Sequence, residues 1–217
     1  MPQTFDSRTD AGRQLAAALA PWAGKDPVVL ALPRGGVPVA AEVARALHAP
    51  LDVVLVRKLG APGHPELGIG AIVDGPEPQV VLNDSVMRQL RPSEAHVAAE
   101  RERELAVIDR RRTLYRERAP PVPLRGRSVI VVDDGIATGG TMRAALRALA
   151  KEGVARRILA VPVAPAEVLA DLEGETEEIV CLSTPEPFRA VGFHYRDFGQ
   201  TPDEEVIALL RAAREDG

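Results

Sequence analysis

Val129-Ile130-Val131-Val132-Asp133-Asp134-Gly135-Ile136-Ala137-Thr138-Gly139-Gly140-Thr141 is the stretch whose reading decides the fold. Four consecutive β-branched residues suit a strand buried on both faces, as in the interior of a parallel sheet. Two acids end that strand. A loop of small residues follows, and a helix over 141–152 is closed by Gly153. Strand, short loop and helix in direct succession make half of a parallel βαβ unit.

Upstream, the apolar run 28–32 reads as a second buried strand that stops at Pro33-Arg34-Gly35-Gly36. A helix over about 37–48 and a further strand over 51–56 complete a strand-loop-helix-strand unit. Before it, Ser7-Arg8-Thr9-Asp10 has the spacing of a capping box, with Leu15, Ala18 and Leu19 at helical period up to Pro21. From Arg57 to Gly70, glycine and proline accumulate, which reads as a long mobile loop. Residues 69–73 and 79–82 flank Asp74-Gly75 as an antiparallel hairpin, and Asn83 caps a short helix to Leu90. Pro92 and Ser93 open a charged helix to about position 118, whose narrow apolar stripe and run 101–104 suggest a mostly solvated face. After the proline-rich connector 119–123 and the central strand, segments 158–163, 165–172 and 179–182 continue the alternation of strand and helix. Thr201-Pro202-Asp203-Glu204 starts the last helix. The expected fold is α/β, with a mostly parallel twisted sheet flanked by helices. We expect one domain over 1–217, its core at about 26–183, with 1–25 and 184–217 packing on that core or forming a small hood.

Composition excludes several classes. Hydrophobic residues form 46% of the 217 and charged residues 27%, so a sizeable core can form. Aromatics are only 3%, leaving Ala, Val, Leu and Ile to build it. A net charge of −4 without a basic stripe argues against long nucleic acid as a partner. A single cysteine, Cys181, excludes an internal disulfide framework and reads as a small core residue. No apolar run is long enough to span a bilayer, so no membrane partner is expected and cytoplasm is the default location. The exposed charged helix and the parallel sheet lead us to expect a homodimer.

The quoted stretch also carries the chemistry. Two carboxylates at a buried strand end repel one another and lose hydration, so a ligand donor or a cation should compensate them. Ribose hydroxyls are such donors. The following loop offers bare amides at a helix amino end, a socket for a phosphate dianion to which Thr138 and Thr141 can add hydroxyls. Ligands of open parallel sheets bind outside the carboxyl ends of the strands, where this loop lies.

Four apolar residues, two acids, a short spacer, Thr-Gly-Gly-Thr and a helix, in that order, resemble the phosphoribosyl pyrophosphate signature of the type I phosphoribosyltransferases. Leu32-Pro33-Arg34-Gly35-Gly36 resembles the family's pyrophosphate loop, and Val56-Arg57-Lys58-Leu59-Gly60 the basic pair that introduces its flexible catalytic loop, here 59–70. The resemblance implies transfer of ribose 5-phosphate from 5-phosphoribosyl-1-pyrophosphate to a nitrogenous base. It further implies that Asp133 and Asp134 hold the ribose hydroxyls and that Ala137, Thr138, Gly139, Gly140 and Thr141 take the 5′-phosphate. Arg34, Gly35 and Gly36 would bind pyrophosphate, while Arg57, Lys58 and Asp134 would act in catalysis. Mg²⁺ would be held near Asp133 and Asp134, mainly by substrate oxygens. Relatives acting on 6-oxopurines carry an acid at the position of Ala137, so hypoxanthine and guanine are less expected here, and the signature is closer to that of adenine phosphoribosyltransferases.

Other readings compete. The same fold also serves regulators that sense phosphoribosyl pyrophosphate without turning it over; the basic pair and the loop after it favour an enzyme. A dinucleotide oxidoreductase is disfavoured because no Gly-x-Gly-x-x-Gly follows the first strand. Four of the six Phe and Tyr residues lie between Phe188 and Phe198, where they either stack on a base or staple the last helix to the sheet. Trp22 reads as a packing anchor and His64 as an idle loop residue.

Overall fold

The computed structural model describes residues 4–75, 77–117 and 119–215. Numbered along the chain, strands β1 (Val28–Ala31), β2 (Leu51–Val53), β6 (Ser128–Val132), β7 (Arg156–Val163) and β8 (Glu178–Ser183) form a parallel sheet in the order β2-β1-β6-β7-β8. A second, antiparallel sheet joins β3 (Val56–Ala61), β4 (His64–Val73) and β5 (Gln79–Leu82) in sequence order.

Period-two alternation sorts the parallel strands onto two faces. Val29, Ala31, Ile130, Val132, Ile158 and Ala160 share a core with Leu15 of α1 (Arg8–Ala18), Val43 of α2 (Gly36–Leu47) and Leu210 of the last helix (Asp203–Glu215). Val28, Leu30, Val129, Val131, Leu159 and Val161 face the other way, onto Met142, Leu146 and Leu149 of α5 (Gly140–Lys151). Burial of each large aliphatic side chain contributes about 1.5–3 kcal/mol before the entropy of ordering is subtracted. Helices on both faces explain why these strands read as continuous apolar runs.

The helix caps expected at Ser7, Asn83 and Ser93 are present, although the Asp10 carboxylate accepts from the Asp6 amide and not from that of Ser7. Ser7 caps α1 by accepting from the Asp10 amide. Asn83 caps α3 (Asp84–Leu90), and Ser93 caps α4 (Glu94–Arg116). Trp22 is buried and its indole donates to Glu178. Cys181 is half-buried, and burial pushes its thiol above the usual range. No helix among the described residues is long and apolar enough to cross a membrane. The charged helix, expected to run to about 118, ends at Arg116, where Glu117 turns to φ +54° as its C-cap; position 118 lies outside the described residues.

Three expectations need correction. Segment 51–56 is not one strand: after β2 the Val54 amide bonds Ala31 and the Leu55 carbonyl takes the Asp74 amide, so the chain leaves the parallel sheet before β3 begins. Residues 57–70 are not an irregular loop but most of the β3–β4 hairpin. Its glycines and prolines sit where pairing is interrupted: the register shifts at Leu59/Gly60 and at Gly60/Ala61, Gly63 takes φ +70° in the turn, and Pro65 falls between the paired positions His64 and Gly68. Finally, the 101–104 run is not wholly solvated. Glu104 is buried, as is Glu100 one turn earlier.

Strand order positions the site. From β1 the chain crosses to β2 on one side, while β6 lies on the other, so the loops leaving β1 and β6 diverge at their carboxyl ends. That switch of direction opens the crevice in which sheets of this kind bind ligands.

Candidate functional site

Pro33-Arg34-Gly35-Gly36 and the loop after β6 meet at this switch point. The Leu32 amide donates to the Val132 carbonyl at 2.9 Å, which stitches the two loop origins together. A β-carbon on Gly35 would lie 2.1 Å from Asp134 Oδ2, and one on Gly36 would lie 2.9 Å from Asp133 Cα. Both positions demand glycine because the first loop packs directly on the acid pair. Beside the phosphate role expected from the sequence, the structure shows a second reason for glycine at these positions, their close packing on the aspartates. The Pro33–Arg34 peptide is cis.

The two acids are in different surroundings. Asp133 Oδ1 accepts the Asp134 amide at 2.8 Å, and burial, followed by the adjacent Asp134 charge, holds the Asp133 carboxyl well above the usual aspartate range. Asp134 instead ion-pairs with Arg8, whose Nε donates to Oδ2 at 2.7 Å with both side chains largely buried. Arg8 also donates from Nη1 to the Gly199 carbonyl at 2.6 Å, and its guanidinium lies 4.0 Å from the centre of the Phe198 ring.

The aromatic segment forms the adjoining wall. Tyr195 OH donates to the Asp134 carbonyl at 2.5 Å, and its ring contacts Phe5 and Phe198. Val191 packs so closely on Gly135 that a β-carbon there would stand 2.6 Å from Cγ1. These rings therefore staple the segment around Phe5 and the acid loop, and not the last helix to the sheet; Phe193 alone is strongly exposed, at 69%.

Beyond the acids the loop opens. Gly139, at φ +74°, is the N-cap of α5, while Ala137, Thr138, Gly140 and Thr141 are exposed. The first amides of a helix have no partner within it, and the helix dipole adds partial positive charge there, so this face suits an oxyanion. Across the crevice, Arg34 lies 3.8 Å from Asp203, which also accepts from Tyr115 OH at 2.6 Å.

Comparison with known proteins bears on this arrangement. The Phosphoribosyl transferase domain family matches residues 8–196, which takes in both loops, Arg8 and Tyr195. This chain belongs to that family. Two Mycobacterium tuberculosis proteins, of strains CDC 1551 / Oshkosh and H37Rv, each named "Putative phosphoribosyl transferase", are 50% identical to it over 212 residues, 98% of this chain and 47% of theirs. The phosphoribosyl transferase domain described here thus spans about half the length of the curated relatives it matches. The crystal structure of TT1426 from Thermus thermophilus superposes with a TM-score of 0.83 at 46% identity, covering 96% of this chain and 98% of that one.

In this phosphoribosyl transferase domain the basic pair lies on β3 of the antiparallel sheet. Arg57 Nε donates to buried Glu104 at 2.7 Å, and Lys58 Nζ donates to the Glu66 carbonyl and carboxylate at 2.8 and 3.0 Å. Among the described residues no hydrogen bond or ion pair joins either to Asp133 or Asp134. Helix α4 clamps the hairpin further: Glu100 accepts the Gly60 amide at 2.9 Å, and the His96 ring nitrogen Nε2 meets the Gly60 carbonyl at 2.9 Å. His64 is exposed on the hairpin tip. Sequence reasoning missed Arg8, Glu100 and Glu104 as parts of this arrangement, and it singled out Tyr195 only as a member of the aromatic segment, without its bond to the Asp134 carbonyl. The capping box around Arg8 was visible, but nothing local marks an arginine there as a partner of Asp134.

Proposed function

We propose that this domain transfers ribose 5-phosphate from 5-phosphoribosyl-1-pyrophosphate to a small nitrogenous base and releases pyrophosphate. The observation that carries the reading is the convergence, at one switch point of a parallel sheet, of a glycine loop, a half-buried acid pair and an open helix amino end. In this reading Asp133 and Asp134 accept from the ribose hydroxyls and the amides of Ala137–Thr141 bind the 5′-phosphate. The backbone of Gly35 and Gly36, with the Arg34 side chain, receives the pyrophosphate. The base nitrogen attacks C1 with its lone pair as the bond from C1 to the pyrophosphate oxygen breaks, with inversion and a transition state of oxocarbenium character. Fixed amides and guanidinium groups then act by stabilising charge on the leaving group. For Arg57 and Lys58 to assist, the hairpin would move over the crevice, excluding water from the reacting carbon.

Mg²⁺ fits the residues present. Asp133 and Asp134 supply hard oxygen donors, and among the described residues no cluster of three or more His, Cys, Asp or Glu forms a protein cage. Such a pair suits an ion that keeps its waters and is held largely by substrate oxygens. Its contribution would be neutralisation of pyrophosphate charge.

One observation favours a second reading, a sensor that binds phosphoribosyl pyrophosphate without turnover: Arg57 and Lys58 are already engaged by Glu104 and Glu66. Incubation with phosphoribosyl pyrophosphate, Mg²⁺ and a panel of bases, followed by assay of pyrophosphate, separates the two. Release with at least one base supports the transferase, whereas binding without release for every base supports the sensor.

A further inference from the structure

We propose that Arg8 is a positioning residue of the sugar site, fixing the Asp134 carboxylate in the orientation that receives a ribose hydroxyl; this deepens the functional reading above and rests on it. Arg8 comes from the first turn of α1, 126 positions away from Asp134, yet its Nε meets Oδ2 at 2.7 Å. The guanidinium is itself held on two further sides, by the Gly199 carbonyl and by the Phe198 ring. It also borders the glycine loop, since a β-carbon on Gly35 would fall 3.2 Å from Arg8 Nε as well as 2.1 Å from Asp134 Oδ2. Three elements distant in sequence thus meet on one carboxylate. A planar guanidinium pinned in this way restricts rotation of the acid, which a flexible ammonium would do less well. It also offsets one of the two adjacent negative charges, easing the repulsion within the pair.

The test is calorimetric and uses two probes, ribose 5-phosphate and inorganic phosphate. Substituting Arg8→Gln should weaken ribose 5-phosphate about tenfold. It should leave inorganic phosphate unchanged and add no further loss when combined with Asp134→Asn. Arg8→Lys should recover part of the affinity, and Phe198→Ala should cost about threefold on ribose 5-phosphate alone. Melting curves without ligand accompany each variant; if Arg8→Gln does not fold, Arg8→Lys carries the comparison, with a partial loss expected on the sugar phosphate only. Equal losses for both probes would make Arg8 a direct phosphate ligand or a purely structural tie, and no loss for either would give it no role in the site; each overturns the proposal. Wild-type protein that binds phosphate but not ribose 5-phosphate would remove the sugar reading of the acid pair, and this proposal with it.

Discussion

The Tyr195 hydroxyl donates to the Asp134 main-chain carbonyl at 2.5 Å, so the aromatic segment props the very peptide that carries the acid pair. Tyr195→Phe keeps the ring contacts with Phe5 and Phe198 and deletes only the donor. The expected loss is about 1 kcal/mol, seen as a fall of roughly 2–4 °C in Tm. Burial and then the Asp134 charge push the Tyr195 pKa up. A raised folded-state value means stability is fully present below the unfolded tyrosine pKa of about 10 and is lost as pH rises toward the folded one. Tyr195→Phe should therefore flatten the alkaline limb of a stability-pH curve, though not entirely, because Tyr115 is also pushed up, to about 12.

Asp133 is expected to cost stability in the ligand-free protein. Burial and the neighbouring Asp134 charge raise its carboxyl, so its contribution is fully present below the unfolded aspartate value of about 3.9 and is lost as pH climbs through the folded pKa. Asp133→Asn removes the repulsion and retains an oxygen for the Asp134 amide. At pH 7 the ligand-free variant should be more stable by about 1 kcal/mol, an advantage that disappears below about pH 4. Thermal melts at the two pH values decide it; a less stable variant at pH 7 contradicts the assignment.

Gly35→Ala should damage the site more than the fold. Its new methyl group would stand 2.1 Å from Asp134 Oδ2, so the carboxylate or the loop must move. Affinity for phosphoribosyl pyrophosphate is expected to fall at least about tenfold. Gly174→Ala, where a β-carbon meets nothing within 4 Å, serves as the control and should bind as wild type does.

Glu104→Gln removes the charge that holds Arg57. A hydrogen bond between charged partners contributes about 1.5–3 kcal/mol, and the 35% exposure of Arg57 places this pair toward the low end. Chemical denaturation should show a loss of about 1–2 kcal/mol. If the ion pair also restrains the hairpin, limited proteolysis should cut the tip around Pro62–Leu67 faster than in wild type.

Much of this was legible in the sequence, for identifiable reasons. β6 and its loop were readable because an uninterrupted β-branched run, two acids and small residues each have one structural use, and α1, α3 and α4 begin at the Ser7, Asn83 and Ser93 caps. The β3–β4 hairpin was not, because Gly60, Gly63 and Pro65 mask the strand pattern while occupying bulges and a turn that tolerate them. Burial of Glu104 is invisible locally, since it depends on Arg57, which lies 47 positions earlier. The Arg8–Asp134 pair spans still more of the chain, and only the folded arrangement brings its halves together.

In the proposed function the acid pair at the end of β6 grips the sugar of a phosphoribosyl ligand. Titration of phosphoribosyl pyrophosphate with Mg²⁺ into wild type and into Asp133→Asn/Asp134→Asn tests it most directly. Saturable binding by wild type with no detectable binding by the double variant, both shown to be folded by melting, is the predicted result; undiminished affinity in the double variant would contradict the account.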